Sequence, residues 1–228
     1  MSAGIAHELN TPLAVLKGLT EKLEAGEGNT DKASAALMVR VVRRLERLGE
    51  SLLDFARVRP PLSVRSDVRE LVSEAITLVR LDREQTAAIE SRIAEPLFVS
   101  CDADRMVQVF VNLLRNAMEA AGSARGALVV VDAGVTERDG HRQAVISIAD
   151  NGKGIDAAAL PRLFEPFFST RLDARGTGLG LAVAEGIVRE HGGMIAAGNR
   201  TDARGAVFEV LLPMDMPSQI VEAEGVTA

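Results

Sequence analysis

The tandem prolines of Arg59-Pro60-Pro61 constrain this chain more than any other feature. Two consecutive residues without N–H groups, with the preceding residue pushed out of helical geometry, end any helix that reaches them. Upstream, Ile5, Leu9, Leu13, Leu16 and Leu23 recur at helical intervals and stop at a Gly-Glu-Gly-Asn break over 26–29. After a capping Thr30 or Asp31 a second stripe follows: Leu37, Val41, Leu45, Leu48, Leu52 and Phe55. Two such helices bury little surface alone. An antiparallel hairpin over 1–59, paired with a second copy, closes a dimeric four-helix bundle, and 60–66 reads as a linker.

Beyond the prolines the texture changes. The spacing predicts a helix over 68–81 and a longer one over 103–122, with Asp102 as its cap and Gly122 as its stop. Residues 127–135 and 143–150 read as strands joined across a Glu-Arg-Asp-Gly turn. A helix over 181–193 follows, then strands from Met-Ile-Ala-Ala-Gly-Asn and Ala-Val-Phe-Glu-Val-Leu-Leu-Pro. This order implies an α/β sandwich over 67–213 with a mixed, largely antiparallel sheet, and the weakly patterned 214–228 reads as a flexible tail.

Composition narrows the function. A 47% apolar content fills a real core, whereas a net charge of −6, no tight Lys/Arg run and no Trp or Tyr argue against a nucleic-acid partner. Arg40, Arg43, Arg44 and Arg47 are spaced around a helix and read as a solvated face. With no eighteen-residue apolar run and no signal pattern, the sequence is expected to make no membrane contact and reads as cytoplasmic. Cys101 reads as a packed structural thiol. His141 follows a turn and is expected in solvent, and His191 before two glycines is expected to cap a helix or meet its dipole.

Two glycine clusters suggest a phosphate site: Asp-Asn-Gly-Lys-Gly-Ile at 150–155 and Gly-Thr-Gly-Leu-Gly-Leu at 176–181. Gly176, Gly178 and Gly180 open a helix, so bare N–H groups and the positive helix end can face an anion, although glycines also serve ordinary turns. A dinucleotide fingerprint needs glycine where Leu181 stands and a strand before it, and a Walker loop needs Gly-Lys-Ser/Thr; neither is present. Asn112 and Asn116 lie four apart on one helical face, able to reach a common hydrated cation. Asp150 ends a strand beside two glycines, where a carboxylate can accept from an exocyclic amine.

In this order, His-Glu-Leu-Asn-Thr-Pro at 7–12, the run 112–120, Asp-Asn-Gly-Lys-Gly-Ile at 150–155, Leu-Phe-Glu-Pro-Phe-Phe at 163–168 and Gly-Thr-Gly-Leu-Gly-Leu at 176–181 resemble the H, N, G1, F and G2 boxes of bacterial sensor histidine kinases. The resemblance covers 4–213 and implies a dimerisation and histidine-phosphotransfer hairpin followed by a Bergerat-type ATP-binding domain of the gyrase, Hsp90, histidine kinase and MutL type. It implies ATP and Mg²⁺ as cofactors, His7 as phosphoacceptor, Asp150 as acceptor of the adenine amine, and Asn116 as metal ligand with Asn112 nearby. Gly152, Gly154, Ile155, Phe164, Thr170, Arg171, Gly176, Thr177, Gly178, Leu179 and Gly180 are implied in nucleotide binding, with Phe167 anchoring the lid and Ser169 near the phosphates.

The chemistry of the opening helix follows. The resemblance implies that a neutral imidazole at position 7 offers a lone pair to the γ-phosphorus, and that the neighbouring Glu8 can take up the proton of the ring. Thr11, one turn along, is implied in dephosphorylating a partner response regulator. Pro12 opposes the Glu8 carbonyl and bends the helix beside the histidine. In hydrolytic relatives a glutamate precedes the metal-binding asparagine by four residues; here Asn112 occupies that place, which favours phosphotransfer over direct hydrolysis. The expected function is autophosphorylation and transfer to a receiver-domain aspartate; the alternative is a catalytically weak, nucleotide-binding dimeric scaffold or mainly a phosphatase. Six residues precede His7, so the hairpin is expected to begin upstream of this sequence.

Overall fold

The structure, a computed structural model, describes residues 2–24, 34–43, 45, 49, 61–81, 87–138, 140–169 and 178–214. The chain divides into two compact units, 1–60 with 155–186 and 61–154 with 187–228.

The first unit opens with α1 (Ser2–Glu24), which carries Pro12 in its interior. Pro12 is buried although its ring deletes one helical hydrogen bond. A second helix, α2, covers 34–43, and its Val41 is buried as the stripe predicts. The break at 26–29, the cap at Thr30 or Asp31 and the helix end at 59–60 lie outside the described residues. Leu13, Val15, Val39 and Val42 remain exposed on these two helices. Later in the same unit a single 3-10 turn covers Leu160–Arg162.

The second unit is a two-layer sandwich. Its helices are α3 (Val68–Arg80) and α4 (Ala103–Ala121). A five-stranded sheet has the order β2 (Ala88–Ser91), β4 (Leu128–Arg138), β5 (His141–Asp150), β7 (Ala206–Pro213), β6 (Met194–Asn199). All pairs are antiparallel except β2 with β4. A separate antiparallel pair joins β1 (Val64–Asp67) to β3 (Phe98–Cys101). α3 packs on α4, and α4 lies over β4 and β5. The period-2 pattern puts Val129 and Val131, Ala144, Ile146 and Ile148, and Phe208, Val210 and Leu212 into the core. Met106, Phe110, Leu113 and Leu114 of α4 are fully buried above them, each contributing roughly 1.5–3 kcal/mol.

Sequence and structure differ in instructive places. The expected strands 127–135 and 143–150 are longer, because the ladder runs to Arg138↔His141 and Gly140 turns the chain with φ +74°. β1, β2 and β3 escape sequence reading: each has four residues, too few for alternation to show. β1 begins inside the segment expected as linker. α5 (Gly180–Glu190) stops before 193, because His191, Gly192 and Gly193 leave helical geometry, Gly192 with φ +68°. Asp102 caps α4 as expected, its Oδ1 accepting the Arg105 amide, and Gly122 ends it with φ +75°. Cys101 is buried, and burial pushes its thiol up. Arg40, Arg43 and His141 are exposed.

Candidate functional site

β5 delivers Asp150 to the C-terminal end of α4, and the carboxylate is 1% exposed. Its Oδ1 accepts the Gly152 amide at 2.8 Å and the Ala206 amide at 3.4 Å. Oδ2 is buried without a hydrogen-bond partner among the described residues. Burial raises the carboxyl above its ordinary range, while the Gly152 and Ala206 amides and the Arg200 charge pull it back. An orphaned buried acceptor costs stability unless something donates to it. The chemistry of that oxygen fits a ligand that carries a hydrogen-bond donor such as an exocyclic amine.

Gly152 has to be glycine, because a Cβ there would collide with the Ala120 carbonyl at the end of α4. The loop after β5 is therefore pressed directly onto the helix that carries the two asparagines. Asn112 and Asn116 lie one turn apart on α4, both half-buried, among the buried Leu113, Leu114, Ala117 and Met118. Neither amide side chain is hydrogen-bonded among the described residues, so their oxygens are available to a cation. Among the described residues no three His, Cys, Asp or Glu side chains gather as a metal cage. Mg²⁺ held by phosphates and one amide oxygen requires none. The donor set therefore fits Mg²⁺ bound together with a nucleotide.

Residues 155–186 belong to the other unit. Ile155, Phe164 and Phe167 are half-buried there. Phe167 takes φ +67°, an unusual value for a residue with a side chain, and its amide donates to the Gly178 carbonyl at 2.9 Å. Gly178, at φ +66°, lies so close to the Phe167 backbone that a Cβ would not fit. This contact brings together the two ends of 168–177. Leu179 is fully buried and Gly180 begins α5. Ser169 is exposed, while Thr170, Arg171, Gly176 and Thr177 lie outside the described residues. The backbone of His7, Glu8 and Thr11 is helical in α1, and their side chains are likewise outside the description.

Sequence reading missed the β6–β7 turn. Gly205 sits against the Asp150 carbonyl, Ala206 donates to its carboxylate, and Asn199 lies against Gly154. Backbone donors leave no residue signature, and Gly205, just before β7, is the one local signal that could have marked a close approach.

A sandwich that ends its third sheet strand on a buried, half-satisfied aspartate, with two half-buried amides on the helix packed against it, fits a nucleotide-binding class. The match to known families is specific. Residues 101–216 match the model of histidine kinase-, DNA gyrase B- and HSP90-like ATPases, and residues 1–61 match the His Kinase A phospho-acceptor domain. The chain belongs to the sensor histidine kinase family, of which it carries the phosphoacceptor and ATPase domains. It is 34% identical to the sensor histidine kinase ZraS of Klebsiella oxytoca over 94% of its own length and 46% of that protein, and 30% identical to sporulation kinase B of Bacillus subtilis over 95% and 50%. The chain thus spans about half the length of these relatives. Histidine kinase ThkA, crystallised with response regulator TrrA, superposes with a TM-score of 0.74 at 25% identity, covering 94% of this chain and 61% of that one. Full-length ShkA with AMPPNP gives 0.63 at 25% identity, covering 94% and 46%.

Proposed function

We propose that this protein is an ATP-dependent protein-histidine kinase that phosphorylates His7 and passes the phosphoryl group to a receiver-domain aspartate of a response regulator. The observation that carries the reading is Asp150: a buried carboxylate with one oxygen held by amides and the other without a donor among the described residues, in a chain whose first 61 residues match a phosphoacceptor domain. The adenine amine donates to Oδ2. Asn116, assisted by Asn112, holds Mg²⁺, which supplies charge neutralisation on the phosphates. Gly152 and Gly154 let the nucleotide approach the backbone, and Ile155, Phe164, Thr170, Arg171, Gly176, Thr177, Gly178, Leu179 and Gly180 complete the binding set.

His7 provides the attacking lone pair and Glu8 accepts the ring proton. Thr11 serves a separate regulator-phosphatase reaction, its hydroxyl positioning the water that hydrolyses the receiver domain's aspartyl phosphate. Leu13, Val15, Val39 and Val42 are exposed apolar side chains that a second copy covers, giving a homodimer. The TrrA complex of ThkA supports a receiver domain as the second substrate. Among the described residues no helix is long and apolar enough to cross a membrane.

The test is incubation with γ-labelled ATP and Mg²⁺, comparing the parent with His7→Gln. Acid-labile, base-stable label present in the parent and absent from the variant supports the reading. ATP binding without label overturns it in favour of the scaffold or phosphatase.

A further inference from the structure

Pro60 and Pro61 have no N–H, so Leu62 offers the first backbone donor after the phosphoacceptor segment. That amide donates to Asp102 Oδ2 at 3.1 Å. The Leu62 side chain is 81% exposed, so the backbone alone makes the attachment. Two residues on, the β1–β3 ladder starts at Val64↔Cys101, and β3 runs straight into Asp102. The bond thus extends the ladder by one side-chain step beyond its last pair.

Asp102 is itself fixed from three sides. Its Oδ1 caps α4 through the Arg105 amide at 3.3 Å. Its own amide donates to His191 Nε2 at 3.0 Å. That assigns the ring proton to Nδ1, which faces the Ile187 carbonyl at 2.7 Å. His191 is 3% exposed, and the Arg105 side chain pairs with Glu190 beside it. One aspartate therefore joins the chain arriving from residues 1–60, the first turn of α4 and the end of α5.

We propose that Asp102 is a positioning residue for phosphoryl transfer: by anchoring Leu62 it fixes where the ATPase part of the chain begins, and so sets turnover without setting nucleotide affinity. The separation follows from distance. Asn112 lies ten residues along α4 from Asp102, about 15 Å of helix, and the α4 cap uses the other carboxylate oxygen. The turnover claim rests on the autokinase reading above; the anchor itself does not.

Three variants separate the roles. The Ser63 amide donates to the Pro61 carbonyl at 3.1 Å, which closes a three-residue turn about Leu62. Phe167 is the only described non-glycine residue with positive φ, so this turn is the inverse form, whose negative φ proline accepts. Leu62→Pro therefore deletes the donor and keeps the path. Asp102→Ser keeps an oxygen for the α4 cap and removes the one that holds Leu62. Leu62→Ala keeps the N–H and serves as control.

Amide exchange, ATP affinity and the labelling rate of His7 at saturating Mg-ATP are measured on the whole chain. In Asp102→Ser the Leu62 amide exchanges a few-fold to about tenfold faster, as loss of one hydrogen bond implies, while α4 stays as protected as in the parent. In both Leu62→Pro and Asp102→Ser the labelling rate falls several-fold, affinity stays within about twofold, and Leu62→Ala matches the parent. Unchanged rates, or affinity falling in step with rate, overturn the proposal. If the parent takes no label, the autokinase reading and the turnover claim fail together, and unchanged Leu62 exchange in Asp102→Ser would overturn the anchor as well.

Discussion

Asp150 and Gly152 are joined by a 2.8 Å hydrogen bond from the glycine amide to Oδ1, while Oδ2 of the same buried carboxylate receives no donor among the described residues. Asp150→Asn keeps the shape but replaces an acceptor oxygen with a donor or a weaker acceptor. ATP affinity is expected to fall about 10- to 100-fold, the roughly 1.5–3 kcal/mol of a hydrogen bond to a charged group, with the fold retained. Calorimetric titration with ATP against far-UV circular dichroism checks both.

The same carboxylate makes the nucleotide-free protein pH-sensitive. Burial raises its folded pKa above the ordinary 3.8, so the folded state holds the proton more tightly than the unfolded one. Its contribution to stability is full below the ordinary value and is lost as pH rises through the raised one. Denaturant melts across the acid range should show that loss in the parent and not in Asp150→Asn.

Gly152→Ala places a methyl group inside contact distance of the Ala120 carbonyl, so the end of α4 or the loop has to move. A stability loss of roughly 1–3 kcal/mol is expected, as for overpacking elsewhere, together with weakened ATP binding. Gly134→Ala in β4, where a Cβ meets nothing within 4 Å, should leave both nearly unchanged. Thermal melts of the two variants, side by side, decide it.

Asn116→Ala removes the amide oxygen proposed to hold the cation. ATP affinity measured with Mg²⁺ should drop toward the value measured with EDTA, while the EDTA value itself stays close to that of the parent. An equal loss in both conditions would reassign Asn116 to direct nucleotide contact.

Pro12 is buried inside α1, five residues after His7. Pro12→Ala restores a helical hydrogen bond and removes the bend expected from the proline ring, favouring one packing of the segment over another. The ratio of autokinase to regulator-phosphatase rates is expected to shift. Identical rates in parent and variant would remove the bend from the mechanism.

Much of this was legible from residues. Asp102 and Gly122 marked both ends of α4 because caps and stops are local chemistry, satisfied by side chains and φ values within a few residues. The Asp150 and Gly152 pair was legible for the same reason. The capping role read for His191 holds through Nδ1 and Ile187, whereas its acceptance of the Asp102 amide comes from a residue 89 positions away. The contribution of Ala206 to Asp150 is equally distant, 56 positions along the chain, and is made by a backbone amide that any residue but proline could provide.

The sequence by itself determined most of the helices and the long strands, the order of motif residues and the family they belong to. These depend on periodicity and on residue types with particular chemistry. Only the tertiary structure decided which oxygen of Asp150 is left without a donor, that Gly152 abuts Ala120, that β2 joins the sheet in parallel, and that Leu62, Asp102 and His191 meet. Those facts rest on pairings between distant backbone groups, whose donors and acceptors are nearly identical at every position and become distinct only when the fold sets their neighbours.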